Sequence, residues 1–238
     1  VVFLGIGLAL AAHGFDLGMH ARAFVVTIEN PDIIDSETAA VIAQTAGDGR
    51  IGMDYTLPSK WNRRYEDVGF FDSIMLARTY SGLLAMSGAP PTLNIQSRNG
   101  SELDARTLAA TGVRLVVTGV RRDDLPDLAP QSPIHLYTVA APADRAAFFP
   151  DGAVQVLSRE QVHERLRDRT FDLASALLLR SDEVTPVRDS AAPTAAPATA
   201  SYRRVSSDLI EVDVDAQTAG WIRVLESWDS GWSAEVDG

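Results

Sequence analysis

The sequence predicts an α+β fold, in which a mixed α/β layer domain is followed by part of an antiparallel β-sandwich, with the end of a transmembrane helix at the N-terminus. Three observations lead to this prediction. The first twelve residues contain no polar side chain. Farther along, short runs rich in β-branched residues, such as Val113–Thr118, directly follow segments that carry helix-capping residues. From residue 208 onwards, polar and apolar residues alternate with the period of two that is typical of half-buried strands.

The apolar opening run, residues 1–12, predicts the C-terminal part of a transmembrane helix over residues 1–20. Twelve helical residues rise about 18 Å, whereas a bilayer core of about 30 Å needs about 20 residues, so we expect the rest of the helix upstream. A secretory signal peptide cleaved near Ala9-Leu10-Ala11 and a buried helix of a soluble protein are the alternatives. The chain also ends on Asp237-Gly238, a turn sequence that normally leads into a returning strand. We therefore expect this sequence to be part of a longer protein.

Residues 21–183 are predicted to form the extracytoplasmic α/β domain. Strands are assigned to β-branched runs, and helices to segments that begin at a Ser or Asp cap and end at Gly or Pro. The apolar run at 173–179 has the length of a strand but is ambiguous by periodicity. The predicted strands are 23–28, 50–56, Val113–Thr118, 134–140 and 153–157, and the predicted helices are Ser36–Ala46, 72–86 capped by Asp72, one capped by Ser101 and closed by Gly112, and one opened by a Ser158–Gln161 capping box.

The C-terminal part divides into a linker and a small sheet. Residues 184–201 are rich in Pro, Ala, Thr and Ser without an apolar period, which predicts a flexible linker. Residues 202–238 are predicted to hold three antiparallel strands at 208–215, 220–228 and 232–236. Three strands are too few for a closed sandwich, so we expect a partial one.

Composition narrows the function classes. The formal net charge is −11, and a nucleic-acid partner is not expected because phosphate binding requires a dense basic face. The chain has no cysteine and only four histidines, at His13, His20, His135 and His163, so no metal site and no cofactor are predicted. Asp213-Val214-Asp215 spells a D-x-D motif, but a solvated acidic strand face explains it better than a metal site does.

Two regions hold candidate substrate-binding residues. Residues 61–80 mix aromatic, Arg and Asp side chains at a transition from loop to helix, a composition suited to a polar ligand, although a structural Arg–Asp network explains it equally well. In the second region, Trp221, Trp228 and Trp232 lie close together in sequence; if exposed they would stack on sugar rings, but core packing is the favoured interpretation. The candidates are Trp61, Arg64, Tyr65, Asp72, Arg78, Tyr80 and Trp232.

Three segments together resemble the YfhO-like family of bacterial polytopic membrane proteins. Residues 57–80, with Tyr65, Gly69, Asp72 and Tyr80, resemble the family's segment that runs through a Gly-Tyr-Asp-like turn into a helix. Residues 108–118 are similar to its Gly-Val-Arg-Tyr-Val-Val-Thr strand entry.

A Leu-Tyr strand at Leu136-Tyr137 and an Arg-Ala-Phe-like run at 145–148 follow, as in the family. The third segment, residues 220–238, resembles the family's ending of a strand, Gly-Trp, Ala and Val-Asp-Gly, and is the most specific of the three. The sequence departs from the pattern at Asp144 and Ser230, where prolines are common in the family.

The resemblance covers residues 13–238 and implies the extracytoplasmic region near the C-terminus of a protein with many transmembrane helices. Family members resemble integral-membrane sugar transferases that use lipid-linked donors, and some are associated with glycosylation of envelope polymers. Their catalytic acid is expected on an early extracytoplasmic loop, which this sequence does not contain. The resemblance therefore implies no catalytic residue at any position of this sequence.

The sequence thus leads to one principal hypothesis and two alternatives. The principal one is the extracytoplasmic domain of a bacterial membrane protein of the envelope-glycosylation type, which positions an acceptor or a lipid-linked sugar and meets membrane lipid through its N-terminal helix. The first alternative is a non-catalytic carbohydrate-binding or scaffold module of the cell envelope. The second is a soluble enzyme whose site has no recognisable local motif.

Overall fold

A computed structural model of the chain describes its residues from Ser36 onwards, with gaps. The residues described are 36–47, 49–54, 70–71, 77–88, 97–98, 101, 103–132, 134–184, 198, 200–206, 208–226 and 231–237. All of them belong to the compact unit Ile34–Gly238. The predicted N-terminal helix, the predicted strand at 23–28 and most of the predicted linker lie outside these residues.

The described residues form a mixed α+β structure with small sheets and four helices, which confirms the predicted class. No helix among them is both long enough and apolar enough to cross a bilayer. The helices are α1 (Ser36–Ala46), α2 (Ala77–Ser87), α3 (Ala105–Ala110) and α4 (Arg159–Arg167). The strands are β1 (Arg50–Met53), β2 (Phe70–Phe71), β3 (Ser97–Arg98), β4 (Val113–Thr118), β5 (His135–Thr138), β6 (Ala146–Pro150), β7 (Val154–Leu157), β8 (Leu177–Arg180), β9 (Ala200–Arg204), β10 (Ile210–Val214) and β11 (Gly220–Val224).

The central sheet has the strand order β1-β4-β5. Strand β4 is parallel to β1 and antiparallel to β5. Because successive side chains of a strand point to opposite faces, the apolar residues of this sheet divide into two clusters. One cluster packs against Ile42 and Ala46 of α1, and the other against Leu83 of α2 and Leu108 of α3. Helices thus cover both faces of the sheet, as the α/β prediction requires.

Local capping explains where α3 begins and ends. Asp104 is its N-cap residue and accepts a hydrogen bond from the backbone N–H of Thr107 at 3.0 Å. The predicted cap at Ser101 is therefore wrong, because the carboxylate lies at the position from which the first free N–H groups can be reached. Gly112 ends this segment with φ +75°, a left-handed conformation that suits glycine, and β4 follows at once.

Strands β7 and β8 are parallel and are connected through α4. The predicted capping box is confirmed: Ser158 Oγ accepts from the backbone of Gln161, and the side chain of Gln161 accepts from the backbone of Ser158. The run at 173–179, which periodicity could not assign, contributes the start of β8. Parallel pairing requires a crossover, and the capped helix supplies it.

The C-terminal strands do not form the predicted three-stranded sheet. Strand β10 pairs with β9, which begins inside the segment predicted as linker, and β11 pairs antiparallel with β6. The predicted strand at 232–236 is also wrong, since residues 231–237 form a turn and irregular backbone. The predicted alternation of β10 is confirmed, with Glu211 and Asp213 exposed and the apolar residues between them half-buried. The alternation of polar and apolar residues identified the strand. Its pairing partner could not be identified in this way, because strand pairing depends on contacts between residues that are distant in sequence.

Candidate functional site

A buried acid lies at the carboxyl end of the parallel β1–β4 pair. Asp54 directly follows β1, its residue is 5% exposed, and its backbone N–H donates to the carbonyl of Val117. The Thr118 hydroxyl at the end of β4 lies 3.3 Å from Oδ2 of Asp54. In open α/β sheets, ligands bind outside the carboxyl ends of the strands. Location and burial therefore make Asp54 and Thr118 a candidate polar site.

A second polar pair continues this site across the sheet. Thr118 and His135 are direct cross-strand partners of β4 and β5, so their side chains lie on the same face. His135 Nδ1 lies 3.0 Å from Oδ2 of Asp127, on the segment that runs beside β5. We call Asp54, Thr118, His135 and Asp127 the carboxyl-end row. It places two carboxylates, a hydroxyl and an imidazole side by side across adjacent strands.

Packing holds the imidazole end of the row in place. The His135 ring is tilted against the ring of Tyr137 at a centroid distance of 5.8 Å. The phenol oxygen of Tyr137 accepts from the backbone N–H of Arg122 at 2.8 Å. The Arg122 guanidinium bonds to Asp124 and holds the pKa of that carboxyl below its usual value. In a carboxylate-bound histidine, the other ring nitrogen can accept or donate one hydrogen bond.

A different polar cluster lies at the amino end of β1. Glu226, just after β11, is the acceptor for Arg145, Arg204 and Tyr202: its Oε1 accepts from Tyr202 at 2.8 Å and from Arg145, and its Oε2 lies 2.7 Å from Arg204. Arg50, at the start of β1, lies 3.9 Å from Oε2. We call these five residues the Glu226 cluster.

The Glu226 cluster connects elements that are distant in sequence. Arg145 precedes β6, Tyr202 and Arg204 belong to β9, and Arg50 also donates to the carbonyls of Thr111 and Leu225. The Arg145 guanidinium lies 4.7 Å from the centre of the Tyr202 ring, a cation–π contact. The cluster therefore ties the central sheet to both C-terminal strand pairs.

Charge and burial shift the pKa values in the Glu226 cluster in opposite directions. Burial alone would raise the pKa of Glu226, but the hydrogen bonds and positive charges of its neighbours outweigh it, so its pKa lies below the ordinary value. Burial, and then the hydrogen bond to Glu226, raise the pKa of Tyr202 above its ordinary value. Glu226 is therefore ionised and Tyr202 neutral near pH 7.

The structure describes few of the predicted site residues. Trp61, Arg64, Tyr65 and Asp72 lie outside the described residues, and Arg78 and Tyr80 are described only as backbone positions of α2. Trp232 is described, on the irregular segment after β11, and is 41% exposed. The favoured interpretation of Trp232 as a core residue is therefore wrong, because the strand that was to bury it is not formed.

The D-x-D motif lies on the outer face of the β9–β10 hairpin. Asp213 lies beside the Ser201 hydroxyl at 3.3 Å, and the neighbouring Glu211 pairs with Arg203. Asp215 accepts from Gln217 just beyond the strand. In the part of the chain that the structure describes, no group of three His, Asp or Glu side chains is arranged to hold a metal ion.

The sequence prediction overlooked both polar groups. Asp54 carries a signal that could have found it, since an acid directly follows a short apolar strand at the point where a parallel sheet binds ligands. Asp127 carries no such signal, because its place beside His135 depends on how the segment before β5 folds back. Glu226 is equally invisible in the sequence, because its partners are 22 to 176 residues away, from Arg204 to Arg50.

Comparison of the chain with protein-family models, with curated proteins and with solved structures finds no match.

Proposed function

We propose that this chain is the extracytoplasmic domain of a bacterial integral membrane protein of the YfhO-like type, and that it positions an acceptor or lipid-linked sugar during glycosylation of cell-envelope polymers. The proposal assigns no catalytic acid to the chain. It extends the sequence resemblance by one observation, which concerns where the resembling segments lie in the fold.

That observation is the meeting of resembling segments that are far apart in sequence. Within the segment 108–118, Val116 and Val117 pair with Tyr137 and Leu136 of the Leu-Tyr strand. The run at 145–148 pairs with β11 of the C-terminal segment, and the Leu225 N–H donates to the Arg145 carbonyl at 2.8 Å. These pairings make the resembling segments parts of one structural unit, as the proposal requires, and the family assignment itself rests on the sequence resemblance.

A topology experiment on the native full-length gene tests the location. Alkaline phosphatase and green fluorescent protein are fused in turn into the 185–197 segment, and the fusions are expressed in a bacterial host. We expect active phosphatase and no fluorescence, because the segment lies outside the cytoplasm. Fluorescent cells with inactive phosphatase would overturn the proposal.

A second experiment tests the activity. Cells with the gene deleted are fed a radiolabelled sugar, and label in lipid-linked intermediates and in envelope polymer is measured separately. We expect label to fall in the polymer and to accumulate in the lipid-linked pool, with both restored by the native gene. Unchanged polymer labelling in the deletion strain would contradict a role in transfer.

One observation favours the alternative of a carbohydrate-binding module. Trp232 is 41% exposed, and an exposed indole provides an apolar face on which a sugar ring can stack. For Trp232→Ala we expect a loss of unfolding free energy below about 1 kcal/mol, since the side chain is not in a core. If the alternative holds, binding to purified envelope glycan weakens at least about tenfold, which is about 1.4 kcal/mol. Leu209→Ala, at a similarly exposed apolar residue, is the control; equal binding by both variants rejects the alternative.

A further inference from the structure

The carboxyl-end row is the polar group of the described residues whose place in the fold most resembles a ligand site. Asp54 and Thr118 end two parallel strands, and His135 begins the strand next to them. The Glu226 cluster, at the other end of β1, lies where parallel sheets seldom bind ligands.

The hydrogen-bonding capacity of the row identifies the class of ligand. Ionised carboxylates only accept, whereas a threonine hydroxyl and an imidazole each can donate and accept. A sugar ring offers several hydroxyls in fixed positions, and each of them also donates and accepts. At the accessible end of the row, the Asp127 carboxylate and the His135 imidazole therefore complement a polyhydroxylated ligand better than an anion, which the carboxylate would repel.

Access to the row differs between its two ends. The side chains of His135 and Asp127 are 18% and 21% exposed, whereas Asp54 is nearly inaccessible. Thr118 is also nearly inaccessible and accepts from the backbone N–H of Val120 at 3.0 Å, so we call Asp54 and Thr118 the interior pair. A ligand would thus reach His135 and Asp127 first, and Asp54 would fix the orientation of the Thr118 hydroxyl.

We propose that the carboxyl-end row is a sugar-binding site, in which His135 and Asp127 contact the ligand hydroxyls and Asp54 and Thr118 act as positioning residues. The choice of a sugar rests on the proposed function; the polyol-binding chemistry rests on the row itself.

Protection of His135 from diethylpyrocarbonate tests the proposal on the full-length protein. The reagent modifies neutral imidazoles, and mass spectrometry measures His135 and His163 in the same sample. Because His163 lies on α4, away from the row, it is the internal control. We expect glucose, galactose or N-acetylglucosamine, each at high concentration, to slow modification of His135 at least fivefold and to leave His163 unchanged. Betaine, an osmolyte without hydroxyls, should protect neither residue.

Variants separate positioning from general support of the fold. Asp54→Asn keeps an acceptor for Thr118 but removes the charge, and we expect it to reduce sugar protection of His135 at least threefold without changing its modification rate in the absence of sugar. Asp123→Asn, at a neighbouring exposed acid, should leave protection intact. If Asp54→Asn fails to fold, Thr118→Val is measured in the same way.

The results of the protection experiment can be told apart from those of the topology experiment. Protection of His135 by no tested sugar, or protection that neither interior variant reduces, overturns the inference. If the phosphatase fusion is active and protection is absent, this inference alone fails. If the fusion is cytoplasmic and protection is present, the sugar site stands and the proposed membrane role fails.

Discussion

The two ends of β1 differ in how they satisfy their polar groups. At the amino end, Arg50 donates to backbone carbonyls and lies beside the carboxylate of Glu226. The same carboxylate also binds Arg204 of β9. At the carboxyl end, Asp54 meets the hydroxyl of Thr118, next to the imidazole of His135. The Glu226 cluster at the amino end connects parts of the chain that are far apart in sequence. The carboxyl-end row instead consists of polar side chains that lie next to each other at one end of the central sheet. This difference suggests that the amino end serves stability and the carboxyl end serves a ligand.

The largest effect is expected at the amino end, from Glu226→Gln. The Glu226 side chain is 14% exposed, and the charge of its carboxylate is shared by several guanidinium groups. Removing one partner of a buried ion pair costs about 3–5 kcal/mol, because the remaining like charges keep their desolvation cost. We therefore expect a loss of about 3 kcal/mol in unfolding free energy, measured by urea denaturation.

The control for this variant is Glu235→Gln, at an exposed position of the C-terminal segment. We expect it to change stability by less than about 0.5 kcal/mol. Equal urea midpoints for the two variants would show that the Glu226 cluster does not stabilise the fold, and the contrast between the two ends of β1 would then be lost.

The second prediction compares glycines at the two ends of β4. A Cβ atom at Gly112 would lie 2.9 Å from the Ala143 carbonyl oxygen, and its φ of +75° is unfavourable for alanine. We expect Gly112→Ala to cost about 2 kcal/mol, since a strained non-glycine conformation costs about 1–3 kcal/mol. A Cβ at Gly119, just after β4, would meet nothing within 4 Å.

For Gly119→Ala we therefore expect no loss of stability beyond about 0.5 kcal/mol. Thermal and urea unfolding of the two variants, side by side, measure the difference. A loss at Gly119 as large as at Gly112 would mean that the carboxyl end of β4 is packed as tightly as the amino end, contrary to a site with space for a ligand.

The third prediction concerns the interior pair of the carboxyl-end row. Thr118→Val keeps the shape of the side chain but removes the hydroxyl that meets Asp54 and the Val120 N–H. A buried polar group that loses a partner costs about 1–3 kcal/mol, so we expect a loss of about 1.5 kcal/mol. Thr118→Ser is the control, because it keeps the hydroxyl and should retain the hydrogen bonds. A Thr118→Val variant as stable as the native protein would show that the hydrogen bond between Thr118 and Asp54 does not stabilise the fold.

Local signals in the sequence predicted much of the α/β part. Helix α1, strand β4 and the capping box of α4 follow from residues that are close neighbours in the chain, and all three are confirmed. Where two capping residues competed, as Ser101 and Asp104 do before α3, the sequence could not show which one lies at the first turn. Local sequence signals thus predict the presence of a helix or strand more reliably than the residue at which it begins.

Pairing could not be predicted in the same way. Strand β11 pairs with β6 rather than with its sequence neighbour β10, and the Leu225 N–H donates to the Arg145 carbonyl just beyond the paired residues. These two residues come together only when the long segment between them has folded. The failed strand at 232–236 shows the same limit, since alternation alone does not provide a partner strand. Both candidate polar groups depend on such long-range contacts, which is why the sequence prediction missed them.

The last prediction concerns the pH dependence of the Glu226 contribution, and it has the smallest effect because only the part that depends on ionisation of the carboxylate changes with pH. The pKa of Glu226 in the folded chain lies below the ordinary 4.5 despite the opposing effect of burial. A lowered folded-state pKa means that this stabilisation is complete above about pH 4.5 and is lost as the pH falls through the folded pKa. We therefore expect the difference in unfolding free energy between native protein and Glu226→Gln to be constant near pH 7 and to narrow below about pH 4.5.

Urea unfolding across this pH range measures the difference in unfolding free energy. Thr118→Val is the control, because that variant leaves Glu226 in place and should lose stability in acid in parallel with the native protein. A gap that stays constant down to about pH 3 would mean that the Glu226 carboxylate is not more stable in the folded chain than in the unfolded one.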